Sequence, residues 1–259
     1  MSILIDVKTD QIYREFVTEF FKQVKFVGRR RDFNGTPRQR WAGKFGEAAV
    51  MKEIGLDLKR WIRAGFQKEK TYNRVGGDGG IDIPWDGVHI DVKTLITNMP
   101  LAGGISGMCC HNYKQSQAKD ENNKTDIIIC TFMNIAEMMV AICGGIAKAE
   151  ILDEDYSTLR VKGQKKIREV GKGEHEYKAT EYEVYQWQLV RFEKTQDMKG
   201  YIYAYAEYKK GNVHTFQRAK KKGRSADPEP EIHSGNEIFN KIHQGNGPGD
   251  IETQEGARI

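Results

Sequence analysis

Asp82, Asp91 and Lys93 are the residues of this chain best placed to do chemistry together; they lie in the run GGDGGIDIPWDGVHIDVKT, residues 76–94. At its centre is Asp86-Gly87. A type I′ hairpin turn needs positive φ at both central positions, which Asp-Gly tolerates well. Counting outward, Trp85 faces Val88, Ile83 faces Ile90, and Asp82 falls opposite Asp91. Strand side chains alternate, so Ile81, Ile83, Trp85, Val88, Ile90 and Val92 share an apolar face, while Asp82, His89, Asp91 and Lys93 share the other. Directly opposed residues have Cβ atoms roughly 4.5–5.5 Å apart, and like charges there repel. A hard divalent cation relieves that repulsion: Mg²⁺ characteristically takes one or two carboxylates and keeps waters and phosphate oxygens. Lys93, on the same face, is placed to orient or deprotonate a water attacking a phosphodiester. An ordinary hairpin with a solvated polar face would alternate in the same way. The paired aspartate, the turn and the uninterrupted apolar face together select the chemical reading. Pro84 counts against the hairpin, because proline donates nothing to a ladder and prefers edges.

Asp82 followed by Asp91-Val92-Lys93 resembles the D…(D/E)-x-K signature of the PD-(D/E)XK nuclease superfamily, and GGDGGID is similar to the corresponding stretch of Mrr-type restriction endonucleases. That family carries an acidic residue on a preceding helix, and Glu47 within KFGEAAVMKEI, residues 44–54, matches it. The resemblance implies an α/β, restriction-endonuclease-like core in which helices flank a mixed β-sheet. It also implies Mg²⁺-dependent phosphodiester hydrolysis, with Mn²⁺ able to substitute. Asp82 and Asp91 would be metal ligands, Glu47 a supporting ligand, and Lys93 the group that orients the water. In element order the resemblance covers residues 41–205, but it is specific only from Glu47 to Lys93. A DNA endonuclease is the expected activity. An exonuclease, a junction resolvase or a non-catalytic nucleic-acid-binding module on the same fold are the alternatives, since fold does not choose among them. Double-strand cutting would call for a homodimer. In several nucleases of this superfamily a polar helix after the D-x-K strand brings Gln or Lys near the phosphate, which makes Gln117 a further candidate.

Each of these residues also has a plainer reading. Glu47 suits an exposed helix start favoured by the macrodipole. Asp78, among glycines, suits a turn or loop. Asp86 is the turn residue, and His89 reads as structural or exposed.

A chain of 259 residues can bury one substantial core. Net charge +5 and a pI near 8.8 are mildly basic. Grouping says more than the total: Arg29, Arg30, Arg31, Arg38, Arg40 and Lys44 precede the proposed site, and Arg218, Lys220, Lys221, Lys222 and Arg224 cluster later. Such groups suit a polyanion, because each phosphate contact releases condensed counterions. They point to a nucleic acid as partner, which the resemblance makes DNA, and carry no sequence specificity. Cys130 and Cys143 lie in apolar runs and read as buried small hydrophobes, while Cys109-Cys110-His111 is too local for a tetrahedral zinc site. With no signal peptide in MSILIDVKTD, reducing cytoplasm is the expected setting. The apolar stretch 127–147 is long enough to raise a membrane span, but Asn134, Glu137 and Gly144-Gly145 favour two buried strands, 126–132 and 138–147. No membrane association is expected.

The remaining elements follow from periodicity. An amphipathic helix is predicted over 9–26, a polar DNA-contacting arm over 29–40, the Glu47 helix over 44–54 and a second helical segment over 56–66. A glycine-containing loop is predicted over 94–107, a short helix over 111–122, and strands over 181–192 and 201–208. From residue 209 onward the composition is too polar to offset ordering entropy, save for a short docking helix at 237–243. Three regions result: an N-terminal helix and basic arm, 1–40; the core, 41–208; and a polar tail, 209–259.

Overall fold

The structure is a computed structural model that describes residues 2–23, 36–66, 82–103, 109–153, 155–167, 174–213 and 216. The chain divides into two compact units, Met1–Lys165 with Glu176–Arg218, and Lys166–His175 with Ala219–Ile259. Nearly all of the second, including Lys220, Lys221, Lys222, Arg224 and the docking helix expected at 237–243, lies outside the described residues, as does Arg218 of the first. So do Arg29, Arg30, Arg31 and the glycine-rich stretch with Asp78.

In chain order the described elements begin with β1 (Ile3–Asp6), α1 (Gln11–Gln23), α2 (Pro37–Glu53), α3 (Leu58–Arg63), β2 (Ile83–Trp85) and β3 (Val88–Thr97). There follow β4 (Cys109–Lys114), α4 (Gln115–Ala118), β5 (Ile127–Asn134), β6 (Met139–Ala147) and β7 (Thr158–Arg160). Last come β8 (Lys165–Ile167), β9 (Glu174–Glu176), β10 (Glu181–Tyr185), β11 (Val190–Arg191) and α5 (Thr195–Lys209). The main sheet has the order β1-β6-β5-β3-β2, with β11 also on β6. It is mixed: β3 and β5 run parallel and the other pairs are antiparallel. A second sheet, β4-β10-β7, and a β8-β9 ribbon complete the strands.

Three layers result. On one face of the main sheet, α1, α2, α3 and α5 bury Phe16, Phe45, Met51, Met198 and Ile202 against Ile83, Ile90, Ile129 and Ile142. On the other, Tyr113, Tyr182 and Val184 of the small sheet pack on Ile128, Cys130, Phe132 and Cys143. β5 lies between these layers and is buried at every position, which is why IIICTFMN reads as a continuous apolar run rather than an alternating one. Both expected strands at 127–147 are present, and among the described residues no helix is long and apolar enough to cross a membrane.

Several expectations are corrected. Residues 37–40 belong to α2, not to a polar arm, because Thr36 and Gln39 form a reciprocal capping box with Pro37 in the first turn. Residues 94–97 continue β3, held by parallel pairing of Thr94 through Thr97 with Thr131 through Asn134. The helix expected over 111–122 is cut to four residues, α4, because residues 111–114 belong to β4, which pairs with β10 through Lys114. Residues 201–208 form part of a helix rather than a strand: the tyrosines alternate, but Met198, Tyr201, Ile202 and Ala206 are the buried positions, at helical spacing. Nor does the core divide at residue 40, because β1 pairs with β6 and Tyr13, Phe16 and Phe20 share one apolar cluster with α2.

Gly46 sets how closely α2 approaches the sheet. A Cβ there would collide with Thr94 Oγ1 and lie 2.7 Å from Thr131 Oγ1, two hydroxyls hydrogen-bonded to each other at 2.8 Å. Gly46→Ala is therefore expected to lower unfolding free energy by about 1–3 kcal/mol, the usual cost of overpacking. Urea denaturation monitored by circular dichroism measures this, and an unchanged midpoint would contradict the close approach.

Candidate active site

The β2–β3 hairpin forms as its dipeptide dictates. Asp86 and Gly87 have φ of 45° and 77°, and Trp85 pairs with Val88, Pro84 with His89 and Ile83 with Ile90. Among the described residues β2 is an edge strand, the position in which Pro84 is tolerated. The last turn of α5 grips the hairpin: Lys209 Nζ donates to Gly87 O at 3.0 Å and to Asp126 Oδ2 at 2.6 Å, and Lys210 Nζ donates to Asp86 Oδ2 at 3.0 Å. Asp126 Oδ2 also accepts the His89 amide at 2.8 Å, and His89 Nδ1 lies 3.1 Å from Lys124 O, so this histidine has a structural role.

Asp82 lies one residue before β2. Its amide donates to Ile90 O at 3.0 Å and its carboxylate accepts the Val92 amide at 2.7 Å, so the side chain turns back onto β3 instead of extending the strand. It still meets Asp91, whose carboxyl hydrogen-bonds to it, and Lys93 Nζ sits 2.6 Å from Asp91 Oδ1. Two carboxyls in hydrogen-bond contact share a proton unless a cation replaces it. Burial, followed by the Asp82 charge, pushes Asp91 well above the usual carboxylate range, to about 8, against the opposing pull of Lys93.

The expected division into a packed face and an open working face holds only in part. Asp91 is 3 % exposed, because the small sheet covers the face that carries it. Lys93, with its side chain 33 % exposed, reaches solvent, and Asp82 is half-buried beside it. On the covering side, β4 brings His111 and Tyr113 next to the pair. The His111 ring packs edge-on to Tyr113 with centroids 5.5 Å apart, and burial, then the charge of Lys93, depresses it to about 3, leaving it neutral. Neither residue is legible as part of the site from sequence, since CCHNYK alternates too weakly to announce a strand facing β3.

The other candidates are more scattered. α2 presses on β3 at Thr94, on the face of Val88, Ile90 and Val92 and opposite the one bearing Asp91 and Lys93. Glu47 is buried on that helix and forms an ion pair with Lys44. Among the described residues no group of three or more His, Cys, Asp or Glu side chains could hold a metal ion, so Glu47 does not join Asp82 and Asp91 in such a group. Lys44 lies 4.1 Å from the Phe20 ring centroid, its charge engaged inside the fold. Arg38 is exposed in the first turn of α2 and Arg40 half-buried beside it, while Gln117 is exposed on α4. Cys130 and Cys143 are buried free thiols.

The chain matches no protein-family model, no curated protein and no solved structure.

Two carboxyls held together, one buried and protonated by its surroundings, are a chemical fit for a hard cation, which needs only one or two carboxylates when substrate oxygens and waters fill the remaining positions. A pH dependence follows without metal. Asp91 is raised from 3.8 to about 8, so the folded state keeps a proton that the unfolded chain releases, and stability is lost as pH rises through that interval. In chelator, urea denaturation at about pH 5 and about pH 8 should show a larger loss for wild type than for Asp91→Asn, which has no carboxyl to titrate. Equal losses would contradict a protonated Asp91.

Proposed function

We propose that this chain is a Mg²⁺-dependent nuclease of the PD-(D/E)XK type, acting on DNA as an endonuclease. The observation that carries the reading is the Asp82–Asp91 carboxyl contact with Lys93 2.6 Å from Asp91, on adjoining positions of one hairpin. The resemblance of GGDGGID and Asp91-Val92-Lys93 to that superfamily supports it. Asp82 and Asp91 would hold the ion. Bound there, Mg²⁺, or Mn²⁺ in its place, neutralises charge on the scissile phosphate and lowers the pKa of water. Lys93 would hold the attacking water at its Nζ for in-line displacement and offset charge developing on the phosphate. Glu47 is not required as a ligand in this scheme, since two carboxylates suffice. The arginines at 29–31, with Arg38 and Arg40, supply sequence-independent attraction to the phosphate backbone. Two cuts in a duplex would need two copies of the site, hence a homodimer or sequential nicking.

The tight Lys93–Asp91 pair favours a second reading, a nucleic-acid-binding module on the same scaffold without turnover. Cleavage assays separate the two. On supercoiled plasmid with Mg²⁺, Lys93→Ala is expected to fold normally and to lose cleavage by on the order of 100-fold or more, the usual weight of a group that stabilises transition-state charge. Full activity would remove Lys93 from the mechanism, and an inactive wild type that still binds DNA would favour the binding module. Ca²⁺ is expected to support DNA binding but not cutting, because its looser, larger coordination shell does not impose the same geometry; efficient cutting in Ca²⁺ alone would contradict the metal chemistry.

A further inference from the structure

Beyond Lys93 the row of side chains that begins at Asp91 turns apolar and opens to solvent. Strand alternation places Leu95 and Thr97 on the face of β3 that carries Asp91 and Lys93, at steps of about 7 Å. The opposite face receives α2, through Thr94 beside Gly46. Asp91 is buried under the small sheet, Lys93 is half-buried, and Leu95 is 37 % exposed. Thr97 is buried again, and its hydroxyl has a definite use: Oγ1 accepts the Met99 amide at 3.0 Å, which keeps residue 99 on the same face. Asn134 stands opposite Thr97 in the parallel register of β5, is buried as well, and donates Nδ2 to Met99 O at 3.1 Å. Its Oδ1 accepts the Glu137 amide at 3.1 Å, so Asn134 cannot swing away without losing both bonds. Met99 therefore has a backbone held on both sides by buried polar groups and a side chain that is 50 % exposed.

Isolated exposed apolar side chains are ordinary on a protein surface. Leu95 and Met99 differ in continuing the Lys93 row and in the two buried side chains committed to fixing Met99. We infer that Leu95 and Met99 form an apolar shelf that receives the sugar and base edge of the nucleotide next to a phosphate held at Lys93. The inference rests on the nuclease reading and deepens it, because that reading supplies the occupant. A nucleic-acid strand alternates charged phosphates with less polar nucleosides, and this row presents a cation first and apolar side chains one strand step further on. Leu and Met are among the side chains that proteins press against or between bases, and the unbranched thioether of Met adapts to irregular surfaces. Such a contact adds affinity without reading a phosphate, and it lies in line with the group proposed to act on one.

The test measures binding of a labelled DNA duplex by fluorescence anisotropy at several salt concentrations, in Ca²⁺ so that turnover does not intervene. It compares wild type, a double variant carrying Leu95→Gln and Met99→Gln, and Lys93→Ala. The double variant should keep its melting temperature, since both positions are exposed, and should bind about tenfold more weakly, the gain from covering the exposed parts of two such side chains. Its slope of log affinity against log salt should match wild type, because no phosphate contact is lost, whereas Lys93→Ala should flatten the slope by about one. Plasmid nicking in Mg²⁺ by the double variant should show a raised KM with kcat kept, the mark of a contact made equally before and in the transition state. Met99→Gln alone, with an expected loss of about threefold, serves if the double variant does not fold. Affinity equal to wild type would overturn the inference, whether or not wild type cuts, and so would weaker binding with a flattened slope, which signals a displaced charge. Wild type that binds DNA without cutting it, with the double variant binding more weakly at the same slope, would sustain the shelf and refute the nuclease reading. Wild type that binds no DNA would overturn both.

Discussion

Everything at the site depends on the enforced contact between Asp82 and Asp91. Two carboxyls do not approach willingly in a half-dry environment, and here the turn and its neighbouring elements oblige them to. The Asp86-Gly87 turn fixes the register, and a slip of one residue would turn Asp91 toward the opposite face. Parallel pairing with β5 pins the other edge of β3, from Ile90 to Thr97. Lys209 and Lys210 tie the turn to the end of α5, and Gly46 lets α2 press on β3 close enough to leave it no freedom. A proton or a cation must then compensate, and burial under the small sheet makes that requirement stricter by removing water from Asp91.

Local chemistry was readable and long-range pairing was not. The hairpin is an example of the first kind: a two-residue turn and alternating side chains decide it within a dozen residues. β5 and β6 announced themselves as apolar runs because both their faces are covered. α2 carries its start signal in Thr36-Pro37-x-Gln39, yet the polar run with Asn34-Gly35 and Pro37 invites a loop reading that capping chemistry overrides. In α5 the alternation of Tyr201, Tyr203 and Tyr205 was misleading, because Tyr203 is 56 % exposed and the buried set follows the helical period. β1 is four residues long and exists through its pairing with Ile142 and its neighbours, far along the chain. Nothing within ILID could reveal that partner.

The same distinction governs the site. Asp82, Asp91 and Lys93 were legible because period-two alternation on one hairpin groups them without knowledge of the rest of the fold. His111 and Tyr113 were not, since β4 is fixed by pairing with β10, whose residues lie about seventy positions away, as in Tyr182 opposite Tyr113. Glu47 illustrates the converse. Its place in a helix ahead of the hairpin was foreseeable, but the face of the sheet on which that helix lies is a tertiary fact. Coverage of the Asp91 face by a second sheet also explains why a face expected to be open is nearly closed, with Lys93 as its outlet.

The chemistry of this site depends on whether the carboxyl pair takes up a cation. Calorimetric titration of Mn²⁺ into the wild-type protein and into Asp91→Ala, with no nucleic acid present, tests this most directly. Saturable binding by wild type that the variant lacks is the expected result. No binding by wild type, or equal binding by both, would contradict it.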